Sequence, residues 1–187
     1  MLTDKHQLYL FLKSVLNCGN LSKRSIPHNI NVISHAKMKR KNKEFTLRPA
    51  TVDDIDLIYD LRVKTMKPFF DGALGWNEVK EREKAADELT NAEIVMIGQK
   101  RIGVIKVIPR ADELHFHQIQ ILPEHQKRGI GAELVQRVIK RSEKSNRPIT
   151  LFVMKDTPAK RLYEQFGFSV TNDFEYNCRM CRQPTPD

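Results

Sequence analysis

The sequence predicts an α+β domain built on a mixed, mostly antiparallel sheet with helices on both faces. Three observations predict it. Short alternating or apolar runs recur from residue 45 to residue 182, separated by turn residues. Between 93 and 122 these runs follow one another closely enough to pair as antiparallel neighbours. Between 118 and 153 a strand, a helical pattern and a second strand occur in that order, which implies a parallel crossover.

Taken in order, Phe45-Thr46-Leu47-Arg48 alternates as a short strand. Thr51 before Val52-Asp53-Asp54 reads as an N-cap with acids in the first helical turn. Ile55, Ile58, Tyr59 and Leu61 give the buried face of a helix that runs to Lys64, and Pro68 and Gly72 are expected to break the chain. A charged helix follows over 78–89. Residues 93–97 and 102–108 form a hairpin about Gly98-Gln99-Lys100, and 113–122 is the next strand. The helix over 131–145 turns Leu134, Val135, Val138 and Ile139 inward, and 149–153 is a strand. Thr157-Pro158 opens a helix, with Thr as N-cap and Pro at the first position, and Phe166-Gly167 closes it. Strands at 168–170 and 176–180 complete the order β α α β β β α β α β β.

A chain of 187 residues suits one domain with a sizeable core. No apolar run approaches the roughly 18 to 20 residues that span a bilayer. The formal charge of +9 is unevenly placed. Residues 1–44 carry nine Lys or Arg against Asp4 and Glu44, net +7, leaving +2 for the remainder. A nearly neutral globular part makes a nucleic-acid partner the weakest reading. The basic stretch 1–44 is expected to be a poorly ordered extension, or to lie upstream of a true start at Met38. A signal peptide fits it badly, because Lys13 interrupts the run Leu8-Tyr9-Leu10-Phe11-Leu12. The domain is expected over 45–182, with a tail at 183–187. Cys18, Cys178 and Cys181 are too few for a disulfide framework and suit a reducing cytoplasm. The CxxC of Cys178 and Cys181 has no second ligand pair for zinc, so no metal is expected.

Chemistry concentrates in 121–132. A strand ending in Ile121-Leu122-Pro123 enters Glu124-His125-Gln126-Lys127-Arg128-Gly129-Ile130-Gly131-Ala132, where two glycines precede a helix at once. Glycine lets the backbone take positive φ and approach a ligand. Successive N–H groups at a helix start, with Lys127 and Arg128 beside them, make an anion site suited to a pyrophosphate. A glycine pair before a helix is by itself no more than a tight turn.

Two blocks together carry more. Gln126-Lys127-Arg128-Gly129-Ile130-Gly131 matches the Q/R-x-x-G-x-G/A pyrophosphate loop of the GNAT N-acetyltransferases. Thr157-Pro158-Ala159-Lys160-Arg161-Leu162-Tyr163-Glu164-Gln165-Phe166-Gly167-Phe168 resembles that superfamily's N-x-x-A/R-x-x-L-Y-x-x-x-G-F segment. The blocks lie in the family's order, one helix and one strand apart, and the resemblance to a small single-domain member covers roughly 45–182. It implies a sheet whose central strands, ending near Leu122 and starting at Ile149, splay apart to admit coenzyme A. Ile119, Gln120 and Ile121 would pair with its pantetheine amides, and Gln126, Lys127, Arg128, Gly129, Ile130, Gly131 and Ala132 would hold its pyrophosphate. Thr157, where the family usually has Asn, and Lys160 would also line it.

The resemblance makes Tyr163 the general acid that protonates the departing thiolate; as a bare sequence reading it is equally a core aromatic beside Leu162 and Phe166. The attacking amine must lose a proton. Where members often carry Glu, this chain has His117, so His117 is a candidate base, against an ordinary strand histidine, with Glu78 competing. Phe69, Phe70, Trp76 and Glu78 gather an aromatic wall and a carboxylate suited to a cationic amine, or else a plug closing the sheet end. The expected activity is acetyl transfer from acetyl-CoA to a primary amine of a small molecule or peptide, by direct attack in a ternary complex. The alternative is a non-catalytic acyl-CoA-binding or regulatory protein on the same fold. No membrane partner is expected, and a homodimer is compatible with the sequence.

Overall fold

A computed structural model of the protein describes residues 45–70 and 75–185. The basic stretch 1–44 and its alternative readings lie outside the described residues, as do Gly72 and the last two residues of the tail.

Seven strands form one sheet in the order β1-β2-β3-β4-β5-β7-β6. They are β1 Thr46–Pro49, β2 Ala92–Ile97, β3 Lys100–Pro109, β4 Leu114–Ile121, β5 Ile149–Met154, β6 Ser169–Asp173 and β7 Asn177–Arg182. Every neighbouring pair is antiparallel except β4–β5. Among the described residues, four helices cover the sheet: α1 Ile55–Phe70, α2 Glu78–Ala86, α3 Ile130–Ser145 and α4 Pro158–Gln165. No helix among the described residues is long and apolar enough to cross a membrane.

The two sheet faces have separate cores. On one, Leu134, Val135 and Val138 of α3 and Tyr163 of α4 pack on Ile105, Phe116, Ile149 and Leu151. On the other, Ile58 and Leu61 of α1 and Ala85 of α2 pack on Ile94 and Val104. Ile58, Leu61 and Leu134 are completely buried, each contributing about 1.5–3 kcal/mol relative to exposure. The helical period of α1 and α3 therefore aims one stripe of each at a sheet whose alternation serves both faces.

β3, β6 and β7 run beyond the expected strands, to Lys100–Pro109, Ser169–Asp173 and Asn177–Arg182, and helix boundaries differ at three places. α1 runs on through Pro68 to Phe70, because a proline so near the end interrupts a single ladder bond with only Phe69 and Phe70 after it. α2 stops at Ala86, where Asp87 is extended and Glu88 is left-handed (φ 53°), before a 3₁₀ turn at Leu89–Asn91. Thr51 precedes a 3₁₀ turn rather than directly capping α1, and its backbone N–H and hydroxyl both donate to the Asp54 carboxylate (2.9 and 3.3 Å).

Two irregularities shape the middle of the sheet. β4 and β5 pair only at Leu114–Ile149 and His115–Thr150, then part, although both continue for several residues. The β3–β4 register slips once, so that Lys106 faces Gln118 and Val107 faces Phe116, leaving His117 as the bulged extra residue. Gly103 lets the strands close up farther along: a Cβ there would stand 2.5 Å from the Gln120 carbonyl oxygen.

Candidate active site

The loop after β4 is built to leave its N–H groups open. A 3₁₀ turn at Pro123–His125 is held by the His125 and Gln126 N–H groups bonding back to Leu122 and Pro123. The Gln126 side-chain amide donates to the Ile121 carbonyl at 2.9 Å, tying the loop to the end of β4. Lys127 and Gly129 then take positive φ (58° and 86°), and α3 begins with Gly129 as its N-cap and no side chain capping it. The first backbone bond into the helix is from Glu133 to Gly129. The N–H groups of residues 127–132 find no acceptor among the described residues. Lys127 and Arg128 are exposed beside this fan, and the Arg128 guanidinium lies 3.0 Å from His125 Nδ1. A fan of donors at the positive end of a helix, with no internal anion, binds a phosphate-like group.

The gap between β4 and β5 lies next to this fan. Ile119, Gln120 and Ile121 pair with β3 along one edge. On the other edge no β5 partner stands opposite them, so alternate backbone groups of β4 are free to pair with an extended ligand. Phe116, the first β4 residue past the last paired one, meets the Tyr163 ring edge to face at 5.8 Å. The Phe168 ring also packs against Tyr163, at 5.5 Å. Tyr163 is 5% exposed, and burial pushes its phenol well above the usual tyrosine range, so it is protonated at any working pH. The hydroxyl of Thr157 donates to the Met154 carbonyl (2.8 Å) and accepts from the Lys160 N–H (3.3 Å), serving the start of α4. Lys160 pairs with Glu164 at 2.5 Å.

The opposite face of β4 is polar. The His115 and His117 rings lie 5.6 Å apart, and His115 Nδ1 is 3.2 Å from the Thr150 hydroxyl. The Gln118 amide donates to Gln120 at 2.7 Å. His115 is buried, and burial with nearby Arg110 lowers its pKa to about 3. His117 is exposed to solvent, unlike its neighbours Phe116 and Gln118 on β4. Its surroundings, and then the Lys106 ammonium, lower its pKa to about 4, so at neutral pH the ring is uncharged.

Tyr163 and His117 thus belong to opposite faces of the sheet on either side of the β4–β5 gap. Glu78 is exposed in the first turn of α2, where its charge suits the positive helix end, and no described contact links it to His117. Phe70 and Trp76 meet edge to face at 6.1 Å, and Trp76 packs onto the core of α1 and α2; the Phe69 side chain lies outside the described residues. Cys178 and Cys181 are unbridged on β7, and no cluster of metal-ligating side chains occurs among the described residues. A surface depression of about 450 Å³ beside β6 and β7, lined by Phe166, Thr171 and Arg182, involves none of the site residues.

The splay, the open fan and the buried tyrosine at the fork agree with a domain-wide sequence match. The model of the acetyltransferase (GNAT) domain matches residues 68–180. The chain belongs to the GNAT acetyltransferase family. GNAT folds of solved structure superpose on it widely. The chain is similar to the PaiA N-acetyltransferase of Thermoplasma acidophilum in complex with coenzyme A (16% identity, TM-score 0.62, covering 75% of this chain and 99% of that one). It is similar to the ribosomal-protein-S18-alanine N-acetyltransferase of Escherichia coli (18%, 0.58, 77% and 96%). It is also similar to the spermidine N-acetyltransferase of Vibrio cholerae in complex with CoA and spermine (24%, 0.57, 76% and 97%). No curated protein matches the sequence. At these identities the likeness establishes the GNAT fold, and the family match establishes acetyl transfer as its chemistry.

Sequence reasoning passed over one group in this GNAT domain: Arg62, Glu81 and Lys106, all buried on the α1–α2 face. The Arg62 guanidinium pairs with Glu81, which also takes Lys84 at 2.5 Å. A signal was present. Arg62 falls four residues after Ile58 on the inner stripe of α1, and Lys106 falls between Val104 and Ile108 where strand alternation calls for an apolar side chain.

Proposed function

We propose that this protein is an N-acetyltransferase that moves an acetyl group from acetyl-CoA to a primary amine, of a small molecule or a peptide, by direct attack in a ternary complex. The observation that carries the reading is the fan of unpaired N–H groups over 127–132 at the mouth of a gap between two central strands. The fan suits the pyrophosphate of coenzyme A, and the open edge of β4 suits its pantetheine amides. The thioester would then lie in the gap, between the faces that carry His117 and Tyr163.

In this arrangement the amine nitrogen attacks the thioester carbonyl, forming the C–N bond. A backbone N–H of β4 left free by the splay meets the developing oxyanion. As the C–S bond breaks, the Tyr163 hydroxyl gives its proton to the sulfur. The nitrogen's surplus proton passes to His117, directly or through water. Burial makes Tyr163 a reluctant acid towards water, but a thiolate leaving in the same dry surroundings is a matched acceptor.

One observation favours the second reading, an acyl-CoA-binding protein without turnover: an imidazole with a pKa near 4 is a weak base. Thiol release from acetyl-CoA, read across polyamines, amino acids, aminoglycosides and peptides, separates the two. Turnover with any primary amine supports the enzyme. Thermal stabilisation by acetyl-CoA with no thiol release from any of them supports the binding protein. For the acid, Tyr163→Phe keeps the ring that contacts Phe116 and Phe168. It should lower kcat by about 10²-fold or more while leaving CoA affinity unchanged; a rate equal to the parent's removes Tyr163 from the mechanism.

A further inference from the structure

Two glutamines occupy β4 where it has parted from β5. Gln118 and Gln120 lie beyond His115, the last β4 residue paired with β5, and each is 6% exposed. Across the β3–β4 ladder Gln120 stands opposite Val104, which belongs to the core under α1 and α2. Residues directly opposite share a face of an antiparallel pair, and residues two apart on a strand share it too. Both glutamines therefore point to the α1–α2 face, away from Tyr163.

Their hydrogen bonding is lopsided. The Gln118 side-chain amide donates to Gln120 Oε1 at 2.7 Å. Gln118 Oε1 is buried and has no hydrogen-bond partner among the described residues. Turning the Gln118 amide over would set oxygen against oxygen, so Gln120 fixes which end of that amide is left over. A buried carbonyl oxygen without a donor is costly, and an apolar side chain of the same length would fill the space without that cost. The oxygen calls for a donor from outside the chain, and it lies on the stretch of β4 opened by the splay.

We propose that Gln118 is a specificity-determining residue of the acceptor site: its side-chain oxygen accepts one N–H of the incoming amine and selects primary amines. The proposal rests on the reading of the protein as an acetyltransferase. A neutral primary amine has two N–H bonds and a lone pair. One N–H donates to Gln118 Oε1, and the lone pair forms the C–N bond to the acetyl carbon. The second N–H supplies the proton that leaves. The first stays on the nitrogen of the product amide, so its bond to Gln118 persists through the transfer. A secondary amine has a single N–H, which it must give up as the surplus proton, and Gln118 Oε1 loses its donor as the reaction proceeds. A carboxamide oxygen is uncharged and too weak a base to take the proton, so Gln118 binds and orients the amine without deprotonating it.

The test compares butylamine, benzylamine and trialanine, each with its N-methyl counterpart, as acceptors for the full chain and for Gln118→Met. Methionine keeps the length and removes the amide. The parent should favour the primary amine of each pair by about 10-fold or more in kcat/KM, and Gln118→Met should bring that ratio within about threefold. Affinity for coenzyme A should be unchanged. The same ratio in parent and variant overturns the proposal, because a clash with the added methyl would survive the substitution. Tm should move little, since the variant exchanges an unpaired oxygen on Gln118 for one on Gln120. Should the variant fail to fold, the parent decides: a ratio near one overturns the proposal and a ratio of about 10 or more supports it. Where these amines release no thiol, binding replaces turnover. The primary amines, titrated calorimetrically into the protein loaded with coenzyme A, should bind Gln118→Met more weakly by about threefold or more; equal affinities, or none measurable, overturn the proposal. Failure of the enzyme reading is separate, and shows as no thiol release with any amine.

Discussion

Gly129 and Gly131 lie two residues apart in one loop, yet alanine should have opposite effects at the two sites. Gly129 sits at φ 86° as the N-cap of α3, a conformation that costs an L-residue about 1–2 kcal/mol. Unfolding of a domain this size shifts by about 2–4 °C per kcal/mol, so Gly129→Ala should lower Tm by roughly 2–8 °C. If the loop relaxes to avoid that strain, the N–H fan is turned away from its anion. Losing one charge-assisted hydrogen bond, about 1.5–3 kcal/mol, would raise the Kd for coenzyme A by about 10- to 100-fold. Gly131 is helical, and a Cβ there would meet nothing nearer than Leu162 Cδ2 at 3.8 Å, an ordinary contact. Alanine also favours a helix over glycine by about 0.5–1 kcal/mol, and the family's loop pattern admits Ala at this place. Gly131→Ala should therefore match or exceed the parent in Tm and bind coenzyme A within about threefold, since its N–H is unmoved. Thermal unfolding and calorimetric titration with coenzyme A measure both quantities. Equal losses in the two variants, or a greater loss in Gly131→Ala, would refute the reasoning, because backbone conformation would then not be what distinguishes the two sites.

The other predictions concern how β4 and the start of α1 are held. Gly103→Ala would drive a methyl against the Gln120 carbonyl at 2.5 Å and Ile121 Cδ1 at 2.6 Å, so the strands must separate at a cost of about 1–3 kcal/mol; a Tm within about 1 °C of the parent would show that β3 and β4 do not approach so closely. Asp54 accepts both guanidinium arms of Arg48 (2.7 and 2.8 Å) and is reached by Arg101 at 3.1 Å, and the Arg48 bonds hold its carboxyl well below the usual range. Because the folded pKa is depressed from an unfolded value of about 3.9, this stabilisation is present above that value and lost as pH falls below it. Asp54→Asn should therefore be less stable at neutral pH and show a shallower fall in stability between about pH 5 and pH 3. An acid slope identical to the parent's in urea unfolding would remove Asp54 from the pH dependence.

The fold was legible in the sequence where local pattern and global packing coincide. Leu134, Val135, Val138 and Ile139 lie on the buried side of α3 at helical spacing, and Thr157-Pro158 and Phe166-Gly167 bracket α4 as their capping chemistry implies. The open loop could be foreseen because glycines and a helix start are local facts. The splay itself comes from the family resemblance rather than from any residue pattern, since β5 has the same apolar character along its paired and its parted length. Element ends were the least legible. The stop of α2 depends on Glu88 taking a left-handed conformation, for which a glutamate carries no local signature.

The acceptor side was least legible of all, and the reason is physical. A cofactor held by backbone leaves its mark in glycines, whereas a side-chain site depends on which residues a register brings together. The single slip between Lys106 and Val107 sets Lys106 against Gln118 and leaves His117 free of a partner. The bulge thus joins two facts that look unrelated in sequence, a lysine where the strand pattern wants an apolar residue and a histidine where the family often has a carboxylate.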